Sequence, residues 1–545
     1  MQGTTVAVET EACRNYYTNL KGPGPAYKVF YFAGVHKCHF VTKVKFCPET
    51  IASMRKVILA AGCLLAATTL LSYPPAITEA FLEKPYLQLG DAPKLSASES
   101  LVLLWHTNAS PAEWRVEVRT SKDHGWRAMD APVSQTVSAP QGLPAVAGKD
   151  GAKKDSPAPP AIEKHLVYRT RLTGLVPGEE FQYRVLKDGK RVFDAVGRAR
   201  KSARQPLRFA VFGDCGQATP SESAIAYQTY LAKPDFVFIP GDIVYGSGRI
   251  SEYREKFFPF YTAEEPSAKN GAPLLQSVPF IAAPGNHDTA LANFKRFPDA
   301  LAYFLYWDQP LNGPVAPPNT EKVSHILTGT IGQDVFMEGA RPRYPRMANF
   351  SFDYGNSHWT ILDANTYMDW KNPVLREWLK NDLAAAQSAG WRFVAFHQPG
   401  FNSAKEHFAE QHMRLLSPVF EEGHVDIVFC GHVHNYQRSF PLTFTPDGSS
   451  PGPKGEVAGE WKLDKIFGDG AAAKPKGVIY IISGGGGAGL YSPELQIDPA
   501  SWQSFTNKFV SQVHSLSVVD IEGKMLRLKQ VSETGETVDS FRIAK

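Results

Sequence analysis

The sequence predicts an α/β catalytic domain preceded by an all-β module, and three observations carry that expectation. Five short, apolar, β-prone runs each end in one or two residues able to bind a metal, with helical stretches between them. Ahead of them, residues 84–203 show strand-like alternation and no helical period. The chain is also 545 residues long, and single cores stop growing near ~250–300 residues.

Composition bounds the rest. Apolar residues make up 43% and aromatics 12%, enough for packed cores. The 58 basic and 54 acidic residues leave a formal charge of only +4, and no long basic run lies beside stacking aromatics. A nucleic-acid scaffold is therefore not expected as a partner. Four of the six cysteines (Cys13, Cys38, Cys47, Cys63) fall in the first 63 residues, without zinc-site spacing. Cys215 and Cys430 sit at strand ends and read as small buried residues, so no disulfide framework is expected.

In chain order, residues 1–53 show weak periodicity, and the cluster His36, Cys38, His39, Cys47 is not read as a zinc site. Residues 54–80 pass from Met54-Arg55-Lys56 through an apolar core at 57–71 to small and polar residues. That is the pattern of a signal peptide, so the protein is expected to be secreted or periplasmic. Signals begin at an initiator methionine, which makes residues 1–53 an expected non-native extension. The competing reading is a membrane anchor through residues 57–73, but the span is shorter than the ~20 residues a crossing helix needs. No stable membrane insertion is expected after signal removal.

Within residues 84–203, Trp114-Arg115-Val116-Glu117-Val118-Arg119 and Phe181-Gln182-Tyr183-Arg184-Val185 alternate apolar with polar residues. Leu101 to Trp105 reads as a more buried strand, and the Ala/Pro/Gly/Lys-rich residues 131–161 read as a loop. From residue 207 to 545, helices are expected near 221–232, 289–297, 373–388 and 406–421. Residues 349–354 and 358–362 read as a hairpin turning at Gly355-Asn356. Residues 312–344 and 441–476 are Pro/Gly-rich insertions, and 478–483, 515–521 and 525–530 read as closing strands. The glycine run 484–487 lacks the lysine of a phosphate-binding loop and reads as close backbone passage near the site.

The chemistry lies where the apolar runs stop. These ends are Gly213-Asp214-Cys215-Gly216, Gly241-Asp242-Ile243-Val244-Tyr245, Gly285-Asn286-His287-Asp288, His397 after Arg392 to Phe396, and Gly431-His432-Val433-His434. In sheets flanked by helices, ligands bind outside the carboxyl ends of the strands. One such histidine reads as a surface residue, but seven donors at five strand ends do not read as packing.

In this order, the five segments resemble the motifs of the purple acid phosphatases, within the metallophosphoesterase superfamily. Most superfamily relatives carry Asp-x-His first; this chain has Asp214-Cys215-Gly216, with Tyr245 as the family's distinguishing ligand. The resemblance implies a four-layer αββα metallophosphoesterase sandwich, and residues 84–203 resemble the fibronectin type III module that precedes it in larger members. It places Asp214, Tyr245 and His434 on one metal, Asn286, His397 and His432 on the second, and Asp242 between them. Hard anionic donors suit ferric iron, and Asn with His suits a divalent Fe, Zn or Mn. His287 and His407 match outer-sphere histidines, and Asp288 is expected to orient His287. His358, His412, His424 and His514 are read as structural.

The implied function is an acid phosphatase hydrolysing small phosphate monoesters with a metal-bound hydroxide as nucleophile. The alternatives are a phosphodiesterase or nucleotide-directed hydrolase on the same site, and a non-catalytic binding protein with an inactive site.

Overall fold

The computed structural model describes residues 4–10, 13–19, 80–96, 98–145, 157–290, 292–315, 326–468 and 473–545. Among the described residues of the first unit, Met1–Ala76, the strand Thr4–Thr10 pairs antiparallel with Cys13–Asn19. The signal at residues 54–80 and the anchor at 57–73 lie outside the described residues (residue 80 apart), as do the rest of the 1–53 extension and its His/Cys cluster. Among the described residues, no helix is long and apolar enough to cross a membrane.

The second unit, Ile77–Lys545, begins with a β-sandwich. One sheet orders the strands Glu83–Gln88, Glu99–Asn108, Ile162–Leu175 and Val133–Ala139; the other orders Lys190–Arg198, Glu180–Lys187, Trp114–Arg119 and Arg127–Ala128. All pairings are antiparallel. Alternation in sequence becomes alternation in burial. Trp114, Val116 and Val118 point inward with Phe181, Tyr183 and Val185, and Trp105 stacks on Tyr168 at 5.2 Å. Glu117 departs from the pattern because Arg184 reaches its carboxylate and satisfies it under cover.

Two sheets follow. The first orders Phe280–Ala283, Phe236–Pro240, Leu207–Val211, Ser515–Glu522, Met525–Ser532 and Thr537–Ala544. The second orders Phe350–Tyr354, Ser357–Ile361, Trp391–Ala395, Ile427–Cys430, Ile479–Ser483, Tyr436–Ser439 and Thr506–Val510. Their facing sides form one aromatic core in which Trp359 meets Phe209 at 5.0 Å and Phe393 at 4.7 Å. The outer side of the first sheet buries Ile225 and Ala226 of helix Pro220–Ala232, and that of the second buries Leu375, Leu379 and Leu383 of helix Pro373–Ala385. The result is the expected αββα arrangement. Both helices start where the sequence places them because a side chain caps each: Thr219 accepts from the N–H of Glu222 and Asn372 from that of Val374, with proline following.

Two expected helices differ. Residues 289–297 contribute only the end of a π-turn, Asn286–Ala290, since Phe294 N–H bonds to Thr328 O rather than back along a helix. Residues 406–421 stay in turns until His412, because Asn402 Nδ2 takes the Glu406 carbonyl and Gln411 N–H bonds to Ala409 and Gly455. Only the short 3₁₀ segment His412–Leu416 and helix Ser417–Glu422 are helical there. His407 therefore sits on a turn and does not open a helix. The hairpin at Gly355-Asn356 forms as expected, and a further pair of strands, Leu442–Pro446 and Gly459–Leu463, lies inside the 441–476 insertion.

Candidate metal centre

Each candidate ligand follows the carboxyl end of a strand, and the two-sheet stack brings those ends to one buried point. Around Asp242, His397 Nε2 lies 3.2 Å from the carboxylate and 3.0 Å from Asn286 Oδ1, and His432 Nδ1 lies 3.2 Å from His397 Nε2. Beside them, Tyr245 Oη lies 2.8 Å from His434 Nε2 and 3.2 Å from Asp214 Oδ1. Asp214 and His397 link the halves at 4.0 Å. The seven donors thus lie in two adjoining groups, and all but Asn286 are buried.

The rings are turned for ligation. His397 Nδ1 pairs with Pro240 O and His434 Nδ1 with Gly489 O, each at 2.7 Å, which leaves Nε2 facing inward. Asp214, Asp242, His407 and His432 all hold φ between +51° and +68°, a region that non-glycine residues leave unless neighbours fix them. Gly285 is required by contact, since a Cβ there would stand 2.2 Å from Asp242 Oδ1. The glycine run passes as closely: a Cβ on Gly486 would meet Gly213 O at 2.2 Å.

Charge makes the same case. Burial pushes the Asp214 carboxyl well up, with Asp242 adding to it and His397 opposing. Burial also acts to raise Asp242, but the neighbouring His397 outweighs it and holds Asp242 below its ordinary range. Burial acts to lower His397, yet the two carboxylates raise it to about 10. His432 and His434 are driven by burial down to about 4, neutral rings with lone pairs to give. Burial, then the two aspartates, raise the Tyr245 phenol. Two aspartates, a phenol and the neutral rings of His432 and His434, buried together at one point, are a donor set that fits a pair of cations.

At the rim, His287 is partly exposed; its N–H bonds Asp242 Oδ1 at 2.9 Å, and its Nδ1 pairs with Gly246 O. Asp288 does not orient it. Its carboxylate accepts from the N–H groups of Ile243, Val244 and Gly285, and so ties together the loops that carry Asp242 and Asn286. His407 lies with its ring centroid 3.8 Å from that of His432. Two residues escaped sequence reasoning. Glu410 reaches both His407 and His432, and Tyr491 stacks on His434 at 4.0 Å and 9°. The spacing of Glu410 three residues after His407 was the one available signal. Of the four histidines read as structural, His358 is clasped by Asp353 and Asp382, while His412 and His514 pair with the carbonyls of Ala364 and Ala488.

An αββα core whose strand ends gather at one point is the metallophosphoesterase fold. Residues 207–436 match the calcineurin-like phosphoesterase family. An uncharacterized protein of Mycobacterium tuberculosis is 24% identical over 420 residues, covering 72% of this chain and 68% of that one. Purple acid phosphatase 15 of Arabidopsis thaliana is 26% identical over 300 residues, 50% of this chain and 49% of that one, so the chain spans about half of that relative's length. The structure of purple acid phosphatase PPD1 from yellow lupin (Lupinus luteus) superposes with a TM-score of 0.55 at 18% identity, covering 84% of this chain and 74% of that one. The chain carries a calcineurin-like phosphoesterase domain and is related to the purple acid phosphatases.

Proposed function

We propose that this chain is an acid phosphatase that hydrolyses small phosphate monoesters at a binuclear centre of ferric iron and a divalent Fe, Zn or Mn ion. The observation that carries the reading is the convergence of Asp214, Asp242, Tyr245, Asn286, His397, His432 and His434 on one buried point. Asp214, Tyr245 and His434 would hold the ferric ion, and Asn286, His397 and His432 the divalent one, with Asp242 shared. When bound, such a pair neutralises phosphate charge and makes water acidic enough to attack at or below neutral pH.

The chain's own residues then position and protonate. Asp242 is held by the His287 N–H, which fixes the shared carboxylate between the two donor groups. His287 and His407, on the outer side, bind phosphate oxygens, and either ring can hand a proton to the departing alkoxide. Tyr491 walls the site by lying flat on His434. We read the β-sandwich as a fibronectin type III-like module that shapes the rim, and residues 54–80 as an export signal.

The test is hydrolysis of p-nitrophenyl phosphate against its bis ester by the metal-loaded protein in mild acid. Faster turnover of the monoester is expected. Preference for the bis ester would make the protein a diesterase, and no turnover of either would leave a binding protein.

A further inference from the structure

The three imidazoles read as metal ligands are not held alike. His397 and His434 each give Nδ1 to a backbone carbonyl and turn Nε2 inward. His432 is reversed: Nδ1 faces His397 Nε2 at 3.2 Å, and Nε2 points outward to Glu410 Oε2 at 3.0 Å. The other oxygen of the same carboxylate, Oε1, meets His407 Nδ1 at 2.7 Å. One side chain therefore spans a buried ring of the donor cluster and the half-exposed ring beside it.

A neutral imidazole has one N–H, and an acceptor at one nitrogen leaves the lone pair at the other. With Glu410 accepting from Nε2 of His432, the His432 lone pair sits on Nδ1, the atom among the other donors. With Glu410 accepting from Nδ1 of His407, that ring turns Nε2 away, where an ester would lie. A carboxylate does this more strongly than a carbonyl, because charge-assisted bonds are about twice as strong as neutral ones. The turn also holds Glu410 still. Its N–H bonds to His407 O, Gln411 takes the N–H of Val457, and His412 Nε2 pairs with Ala364 O.

We propose that Glu410 is a positioning residue that fixes the tautomers of His432 and His407 together, so that one carboxylate governs both retention of the ion on His432 and placement of the ring facing the ester. The inference rests on the phosphatase reading of the preceding subsection. Glutamine at 410 keeps the shape but accepts from only one ring, and alanine accepts from neither.

The experiment uses the full chain loaded with iron and zinc, as wild type, Glu410→Gln and Glu410→Ala, with Glu406→Gln as a rim control. Zinc and iron remaining after timed exposure to a chelator are measured by metal analysis. Outer carboxylates of this kind are worth roughly 10–100-fold in metal affinity or activity. Both 410 variants should lose zinc about 10–100-fold faster while iron loss is unchanged. Their kcat should fall further for an alkyl phosphate than for p-nitrophenyl phosphate, with KM little changed, because only the poor leaving group needs its proton delivered. Should a variant fold poorly, ¹⁵N–¹H correlation of the wild-type imidazoles decides, with His432 expected as the Nε2–H tautomer. Zinc loss equal to wild type, an equal kcat drop for both esters, or an Nδ1–H tautomer at His432 would each overturn the proposal. A wild type that binds no metal would sink the phosphatase reading along with it, whereas a two-metal wild type with indifferent 410 variants would sink this inference alone.

Discussion

The Asp242 carboxylate stands 3.2 Å from His397 Nε2, although 155 positions separate the two in the chain. Asp242 leaves one sheet and His397 the other, so this contact is where the two halves of the αββα stack meet chemically. Asp242 is shared in the proposed centre, and its replacement should be the most damaging single change. Asp242→Asn keeps the shape but removes the bridging charge. Losing several kcal/mol of charge stabilisation corresponds to a kcat drop on the order of 10³-fold. Metal analysis should show the variant holding at most one ion, with thermal unfolding little lowered.

Most of this centre was legible in the sequence because its residues follow apolar runs directly, so strand ends could be read without knowing how the strands pair. What could not be read were contacts made by turns. Residues 406–421 have a helical look, but the capture of the Glu406 carbonyl by Asn402 keeps them in a turn, and only that turn carries Glu410 to His432. The strand Tyr436–Ser439 was missed because only Tyr436 of its four buried residues joins the aromatic core and the other three are polar. Arg438 is buried against Asp539 and Gln437 against Asn402, so no apolar alternation betrays it. Asp288 was misread for a related reason, since its partners are backbone N–H groups that sequence does not display.

Stability should depend on pH through His358, away from the metal centre. Burial alone would lower its pKa, but hydrogen bonds from the ring to Asp353 and Asp382 outweigh burial and raise it to about 9 from an ordinary 6.5. The folded chain thus holds this proton more tightly than the unfolded chain. The stabilisation is fully present below about pH 6.5 and is lost as pH rises through about 9. The ring is only 8% exposed, so the effect is about 3 kcal/mol. Urea unfolding at pH 6, 7.5 and 9.5 should show the decline in wild type, and His358→Gln should flatten it.

The β-sandwich and the catalytic sheets are joined through a buried ion pair. Arg200 lies 3.1 Å from Glu99, both almost without exposure, and its guanidinium also donates to Ala92 O and Asp353 O. Arg200→Met leaves a buried carboxylate uncompensated, which costs about 3–5 kcal/mol. Calorimetry should record a clear fall in Tm, and adding Glu99→Leu should recover most of it, since removing both charges also removes the uncompensated one.

In the proposed centre this chain clasps two cations, one of them ferric and bound by the Tyr245 phenolate. The most direct measurement is metal content together with the visible spectrum of the purified protein. About two ions per chain are expected, with a tyrosinate-to-ferric absorption band that Tyr245→Phe abolishes. A colourless protein holding fewer than two ions after iron and zinc loading, or a band that survives Tyr245→Phe, would contradict it.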